Sequence, residues 1–197
     1  MKLFYSPNSP YARKCRVVIW EKNLQDRVEW VLVNPLESPA ELIAINPLSR
    51  VPALITDDGL HLSESAVICE YLDTLSPEPP LFPADARICV MAMAALADGI
   101  MDSAVACVME GRRPPDKQYQ EWVVRKEQAI LRAIDKFAAI PLAEAPFSLG
   151  TINLAVALAY VQFRLPHLAW QAKYPALATW LETMASRPSF KATEPQA

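Results

Sequence analysis

The chain has 197 residues, enough for one large domain or two small ones, and is 52% hydrophobic and 21% charged with 4 glycines, which excludes a disordered chain and fits a helix-leaning protein with a sizeable core. A net charge of -3 without any dense Lys/Arg run excludes a nucleic-acid footprint or a docking face for anionic membrane. The 4 cysteines, Cys15, Cys69, Cys89 and Cys107, show neither CxxC nor metal spacing, so free and mostly buried thiols are expected rather than a zinc site or a disulfide framework.

The opening MKLFY lacks the charged, apolar and small-residue succession of a secretory signal, and a cytoplasmic location is expected. Residues 2–5 (KLFY) and 28–33 (VEWVLV) are short β-rich runs, and a helical pattern from 10 to about 23 lies between them, with Val17, Val18, Ile19 and Leu24 apolar. That is a βαβ unit. Between strand and helix stands SPNSP: Ser is among the best N-caps and Pro is favoured at the first helical position, so Ser9 is expected to cap a helix beginning at Pro10. Such an end offers free amides and a positive dipole to an anion, although a purely structural cap uses the same residues. Arg13 and Lys14 are expected on a solvated face of this helix, from which they would steer anions; Tyr11 either lines the site or packs under a later segment.

A short helix at about 39–45, the stretch NPLSRVP, a strand at 53–56, a DDG turn at 57–59 and an apolar run at 60–62 come next. Asp58-Gly59 between two apolar runs signals a hairpin. Val51-Pro52 precedes a strand, and because proline has no amide for a central ladder it must stand at a strand start or bend. A trans loop satisfies this, and so does a cis bond that turns the Val51 N–H and C=O towards the Ser9 turn. In LSESAV, Ser63 is expected to open a helix, SESAVICEYLDTL, with Glu64 and Ser65 in its first turn. A carboxylate is favourable there without any ligand. Alternatively Ser65 and nearby amides receive a ligand carboxylate while Glu64 receives its ammonium. The element order to this point is β-α-β-α-β-β-α.

SPEPPLFPADA, residues 76–86, contains four of the 18 prolines and cannot continue a helix. It divides the chain into an α/β domain over 1–77, a linker over 78–86 and an all-helical domain over 87–197, with helical patterns at about 85–110, 117–140, 148–164 and 174–186. The uncharged run 145–163 has Pro146, Ser148, Gly150, Thr151 and Asn153 in its first half, and so reads as a loop and buried helix rather than a membrane span. Asp98 and Asp102 stand at i and i+4, a like-charge pair that solvent or Arg87 is expected to compensate. Met91, Met93, Met101 and Met109 read as core filler, with Met101 and Met109 alternatively lining an adaptable pocket. His61 and His167 have no acid or nucleophile at motif spacing, so no triad is expected.

Together, SPNSPYARK, NPLSRVPAL, DDGLHLSESAVICEYL, the proline-rich linker and ALADGIMDSAV resemble the bacterial glutathione S-transferase family over essentially the whole chain. The resemblance implies a thioredoxin-like first domain with cis-Pro52, a helical second domain, a homodimer, and glutathione as co-substrate. It implies that Ser9 contacts the glutathione sulfur, that the Val51 backbone pairs with the cysteinyl unit beside Arg50, and that Glu64 and Ser65 clamp the γ-glutamyl group. Asn8 and Ser6 are near enough to share the Ser9 role, and Tyr5 resembles the tyrosine of other transferase classes. Asp98 is implied to hold the ammonium of glutathione bound to a partner subunit. In the family's Ser-x-x-Asp capping box this chain has Thr151 for the acid, so a weaker reciprocal bond to Ser148 is expected. The implied activity is addition of the glutathione thiolate to a small electrophile, and the serine in place of cysteine argues against thiol–disulfide exchange. A noncatalytic binding module, or a glutathione-dependent reductase or isomerase, uses the same architecture.

Overall fold

The computed structural model describes residues 1–76 and 79–196. Residues 77, 78 and 197 lie outside it, and with them the expected boundary at 77/78. Contacts divide the chain into two units, Met1–Pro83 with Arg187–Ala197, and Ala84–Ser186.

In the first unit β1 (Lys2–Tyr5), α1 (Pro10–Glu21), β2 (Glu29–Leu32), the short α2 (Ala40–Ile43), β3 (Ala53–Ile55), β4 (His61–Leu62) and α3 (Ser65–Leu75) follow the expected order. The strands form one sheet in the order β2-β1-β3-β4, with β1 parallel to β2 and antiparallel to β3, and β3 antiparallel to β4. The alternation of a strand sends successive side chains to opposite faces. Phe4 joins Val33, Leu42, Val51 and Ala53 in one cluster, whereas α1 and α3 pack on each other and bury, among others, Val18, Ile19, Ile68 and Leu72. The hairpin between β3 and β4 turns at Gly59, whose φ of +86° a side chain would strain.

The second unit holds α4 (Arg87–Gly111), α5 (Gln120–Ala138), α6 (Leu149–Arg164), the short α7 (Trp170–Lys173) and α8 (Pro175–Ala185). Helix α4 is long and apolar enough to cross a membrane, yet packs along α5 and α6 as the core helix of this unit. Gly150 lets α4 and α6 approach closely: a Cβ there would fall 3.0 Å from the Met93 sulfur. Thr151 serves its cap well despite replacing an acid, since its Oγ1 accepts the Ser148 N–H at 2.9 Å. Residues 187–196, including α9 (Pro188–Lys191), join the first unit, although the helical pattern alone groups them with the second.

Three other expectations are corrected. Arg13 and Lys14 are buried, not on a solvated face, and residues 187–196 cover Arg13, which donates to Phe190 O at 3.3 Å. Glu64 rather than Ser63 caps α3: its Oε1 accepts the Ser65 N–H at 3.0 Å, and the helix starts one residue later than a serine cap requires. Met91 and Met109 are exposed, while Met101 is fully buried and Met93 half-buried, so only the latter two fill core. In addition, the buried Asn153 of α6 donates its Nδ2 to Asp98 Oδ1 at 3.2 Å.

Candidate functional site

Strand direction brings the candidate residues of the first unit to one sheet edge. Phe4 pairs with Ala53, so the C-terminal end of β1, which leads into the Ser9 turn, lies beside the N-terminal end of β3, which follows Val51-Pro52. Leu62 pairs with Leu54, so β4 also runs to this edge before the chain enters α3 at Glu64 and Ser65. Two helix N-termini and one strand start therefore share an edge. Each N-terminus presents amides without an intrahelical partner and a partial positive charge.

At the first N-terminus, the Ser9 N–H donates to Ser6 O at 3.2 Å and its Oγ accepts the Ala12 N–H at 3.2 Å. The cap uses only the oxygen; among the described residues the Ser9 hydroxyl hydrogen has no acceptor, so it remains available to an anion. Val51-Pro52 is cis, and among the described residues the Val51 N–H and C=O meet no backbone partner. The neighbouring Arg50 is exposed, while its carbonyl accepts from Asn46 Nδ2 at 2.9 Å.

At the second N-terminus, Ser65 is buried and donates its Oγ–H to Glu64 Oε1 at 3.3 Å, while the Glu64 carboxylate stays exposed. Cys15, in the middle of α1, ties that helix to the first turns of α3: its thiol donates to Ser65 O at 3.5 Å, and its sulfur lies 3.6 Å from that of Cys69. No motif in the sequence singles out Cys15 for this role.

Tyr5 ends β1 at the same edge, but its ring is engaged, 5.0 Å below the Arg16 guanidinium and edge-on to Trp30 at 5.9 Å. Asn8 precedes the cap with its Oδ1 already accepting the Gln196 N–H at 3.0 Å. Tyr11 is half-buried in the first turn of α1. Asp98 and Met101 belong to α4, one beside Asn153 and the other in the core of the second unit. Among the described residues no three His, Cys, Asp or Glu side chains come together as metal ligands.

The arrangement can hold an anion against Ser9, an extended ligand backbone against Val51, and a charged head group against Glu64 and Ser65. Residues 8–75 match the N-terminal and residues 120–183 the C-terminal domain model of glutathione S-transferases. An uncharacterized GST-like protein of Escherichia coli, YibF, is 32% identical over 99% of this chain and 98% of its own length. The crystal structure of a glutathione transferase family member from Pseudomonas fluorescens with bound glutathione superposes with a TM-score of 0.95 at 38% identity, covering 100% of this chain and 99% of that one. A glutathione S-transferase of Methylobacillus flagellatus with glutathione bound gives 0.90 at 40% identity over 99% of both chains. The chain belongs to the glutathione S-transferase family.

Proposed function

We propose that this protein is a glutathione S-transferase that lowers the pKa of the glutathione thiol and directs the thiolate at a small electrophile. The observation that carries the reading is the convergence of the Ser9 and Glu64-Ser65 helix starts with Val51-Pro52 on one sheet edge. A free thiol with a pKa of about 8.5 is only a few per cent ionised at neutral pH, so a donor that meets the sulfur as an anion both binds it and activates it.

In this reading Ser9 donates its free hydroxyl hydrogen to the thiolate while the α1 N-terminus adds its dipole. The Val51 N–H and C=O pair with the cysteinyl unit of glutathione in antiparallel fashion, with Pro52 holding that bend and Arg50 beside it. Ser65 and the first amides of α3 receive the γ-glutamyl carboxylate, and Glu64 receives its ammonium. Asp98 adds a second carboxylate to that ammonium from the other subunit of a homodimer, and Met101 backs the electrophile pocket from the core of α4. The reading carries with it a cytoplasmic location and a soft electrophile whose identity the apolar pocket decides. The glutathione-bound relatives support glutathione as co-substrate.

Calorimetric titration with glutathione, followed by a conjugation assay against a panel of electrophiles, tests it. Glutathione binding with conjugation supports the enzyme; binding without turnover of any electrophile, reduction or isomerisation included, supports a noncatalytic module instead.

A further inference from the structure

Residues 187–196 run back along α1 and are held at three levels. At the C-terminal end of α1, Glu21 receives Arg187 at 2.8 and 2.7 Å and the Ser189 hydroxyl at 2.5 Å. Further towards the N-terminus, Arg13 donates to Phe190 O at 3.3 Å with its guanidinium 5.7 Å from the centre of that ring, and Arg16 donates to Ala192 O at 3.3 Å. At the start of the helix, the Gln196 N–H donates to Asn8 Oδ1 at 3.0 Å. Asn8 directly precedes the Ser9 cap.

The composition of this contact is unusual for a plain packing seam. Arg13 is only 5% exposed, and burial, partly offset by Glu194, pulls its guanidinium down to about 10. The Nε of Arg13 and the Nη1 of Arg16 are buried without a hydrogen-bond partner among the described residues. Two desolvated cations are costly on a helix that apolar residues would pack more favourably. What they gain is directional: charge-assisted bonds to main-chain carbonyls fix the register of the returning segment against α1. That register delivers one amide to Asn8. Among the described residues, the turn over residues 6–9 is otherwise defined by the Ser9-to-Ser6 backbone bond, the Arg13 N–H to Ser9 O bond that opens α1, and the Ser9 cap.

We propose that residues 187–196 form a strap that fixes the Ser9 turn, with Asn8 as the positioning residue through which it acts, so that the alignment of the Ser9 hydroxyl on the glutathione thiol depends on Gln196. The proposal rests on the transferase reading for its catalytic consequence, and on the observed contacts for the strap itself. Asn8 receives the strap through its Oδ1, which leaves the Nδ2 amide outside that bond.

The test uses the full chain with Asn8→Ala, with Gln196→Pro, which removes the single N–H, and with both changes together. Each single variant is expected to lower kcat near neutral pH by about tenfold with KM for glutathione changed less than about twofold, because misaligning a donor affects the developing thiolate more than the bound ground state. The pH midpoint of bound thiolate, read from its ultraviolet absorbance, is expected to rise by about half a unit to one unit. The double variant is expected to be no worse than either single one, since both remove the same bond. A wild-type pH midpoint and kcat in Gln196→Pro, or effects that add fully in the double variant, overturn the strap. If the wild type binds no glutathione the transferase reading fails, and amide hydrogen exchange at Ala12 decides the strap alone: faster exchange in both variants supports it, and unchanged exchange overturns it.

Discussion

The Arg187 guanidinium meets the Glu21 carboxylate through two parallel bonds, Nε to Oε1 at 2.8 Å and Nη2 to Oε2 at 2.7 Å, across 166 residues of chain. Burial pushes Glu21 up, but the hydrogen bonds of Arg187 and Ser189 and the Arg187 charge outweigh it and hold the carboxyl below its ordinary 4.5. A carboxyl depressed in the folded state contributes stability that is complete above its unfolded pKa and is lost as the pH falls through the folded one. Arg187→Met is therefore expected to cost about 1–2 kcal/mol at pH 7, kept below the range of buried pairs by solvent at Arg187. Urea unfolding at descending pH checks the sign: the gap between wild type and variant narrows below about pH 4.5, and a gap independent of pH contradicts this assignment.

A fully buried cation anchors the end of α3. Lys22 is 2% exposed, and its Nζ meets Asp73 Oδ1 at 2.5 Å, Ser76 O at 2.7 Å and Pro79 O at 2.5 Å. Lys22→Met is expected to destabilise the protein by about 3–5 kcal/mol, because it strands a half-buried carboxylate and two carbonyls. Adding Asp73→Asn is expected to return part of this loss, since the orphaned charge goes while a side-chain acceptor for the Leu81 N–H stays. Denaturant midpoints of the single and double variants measure both effects.

Glu64→Gln and Ser65→Ala are each expected to weaken glutathione binding by roughly ten- to a hundredfold, the loss of one charge-assisted contact of about 1.5–3 kcal/mol. Ser65 is 2% exposed, so its variant needs a check of the fold, which circular dichroism supplies. Calorimetry giving wild-type affinity for both variants contradicts their assignment to the head-group clamp.

Asp98→Asn keeps the side-chain shape beside Asn153 and removes the charge. If the proposed homodimer holds, the expected outcome is a variant with the oligomeric state of the wild type that binds glutathione about tenfold more weakly. Sedimentation combined with calorimetry separates assembly from affinity, and unchanged binding in a dimer removes Asp98 from the site.

The elements framing the site were legible because their signals are local. Ser9-Pro10 caps and starts α1 as its residue types dictate, Gly59 turns the hairpin, and the periodicity of each long helix survives in the fold. What was illegible depends on residues far away in sequence. Arg13 reads as part of a solvated face until residues 187–196 cover it, and no local pattern announces that return. Ser63 is the better local cap, but the chain enters α3 one residue later, where the longer Glu64 side chain folds back on the Ser65 amide. Met91 and Met109 share helix α4 with the buried Met101; its apolar composition around the whole circumference hides which face is packed.

Ser9 also caps α1, and its loss is expected to cost about 0.5–2 kcal/mol of stability, so Ser9→Ala must be studied well below its melting temperature. Ser9→Cys is expected to gain disulfide-exchange activity, because a thiol at a helix N-terminus ionises readily. The most direct measurement is the pH titration of glutathione thiolate absorbance bound to wild type and to Ser9→Ala. A wild-type midpoint well below the free-thiol value of about 8.5, rising in the alanine variant while affinity stays within a few-fold, is the expected result. An identical midpoint in both proteins contradicts Ser9 as the thiolate donor and passes the role to Asn8, Ser6 or Tyr5, with Tyr5→Phe as the next variant to titrate.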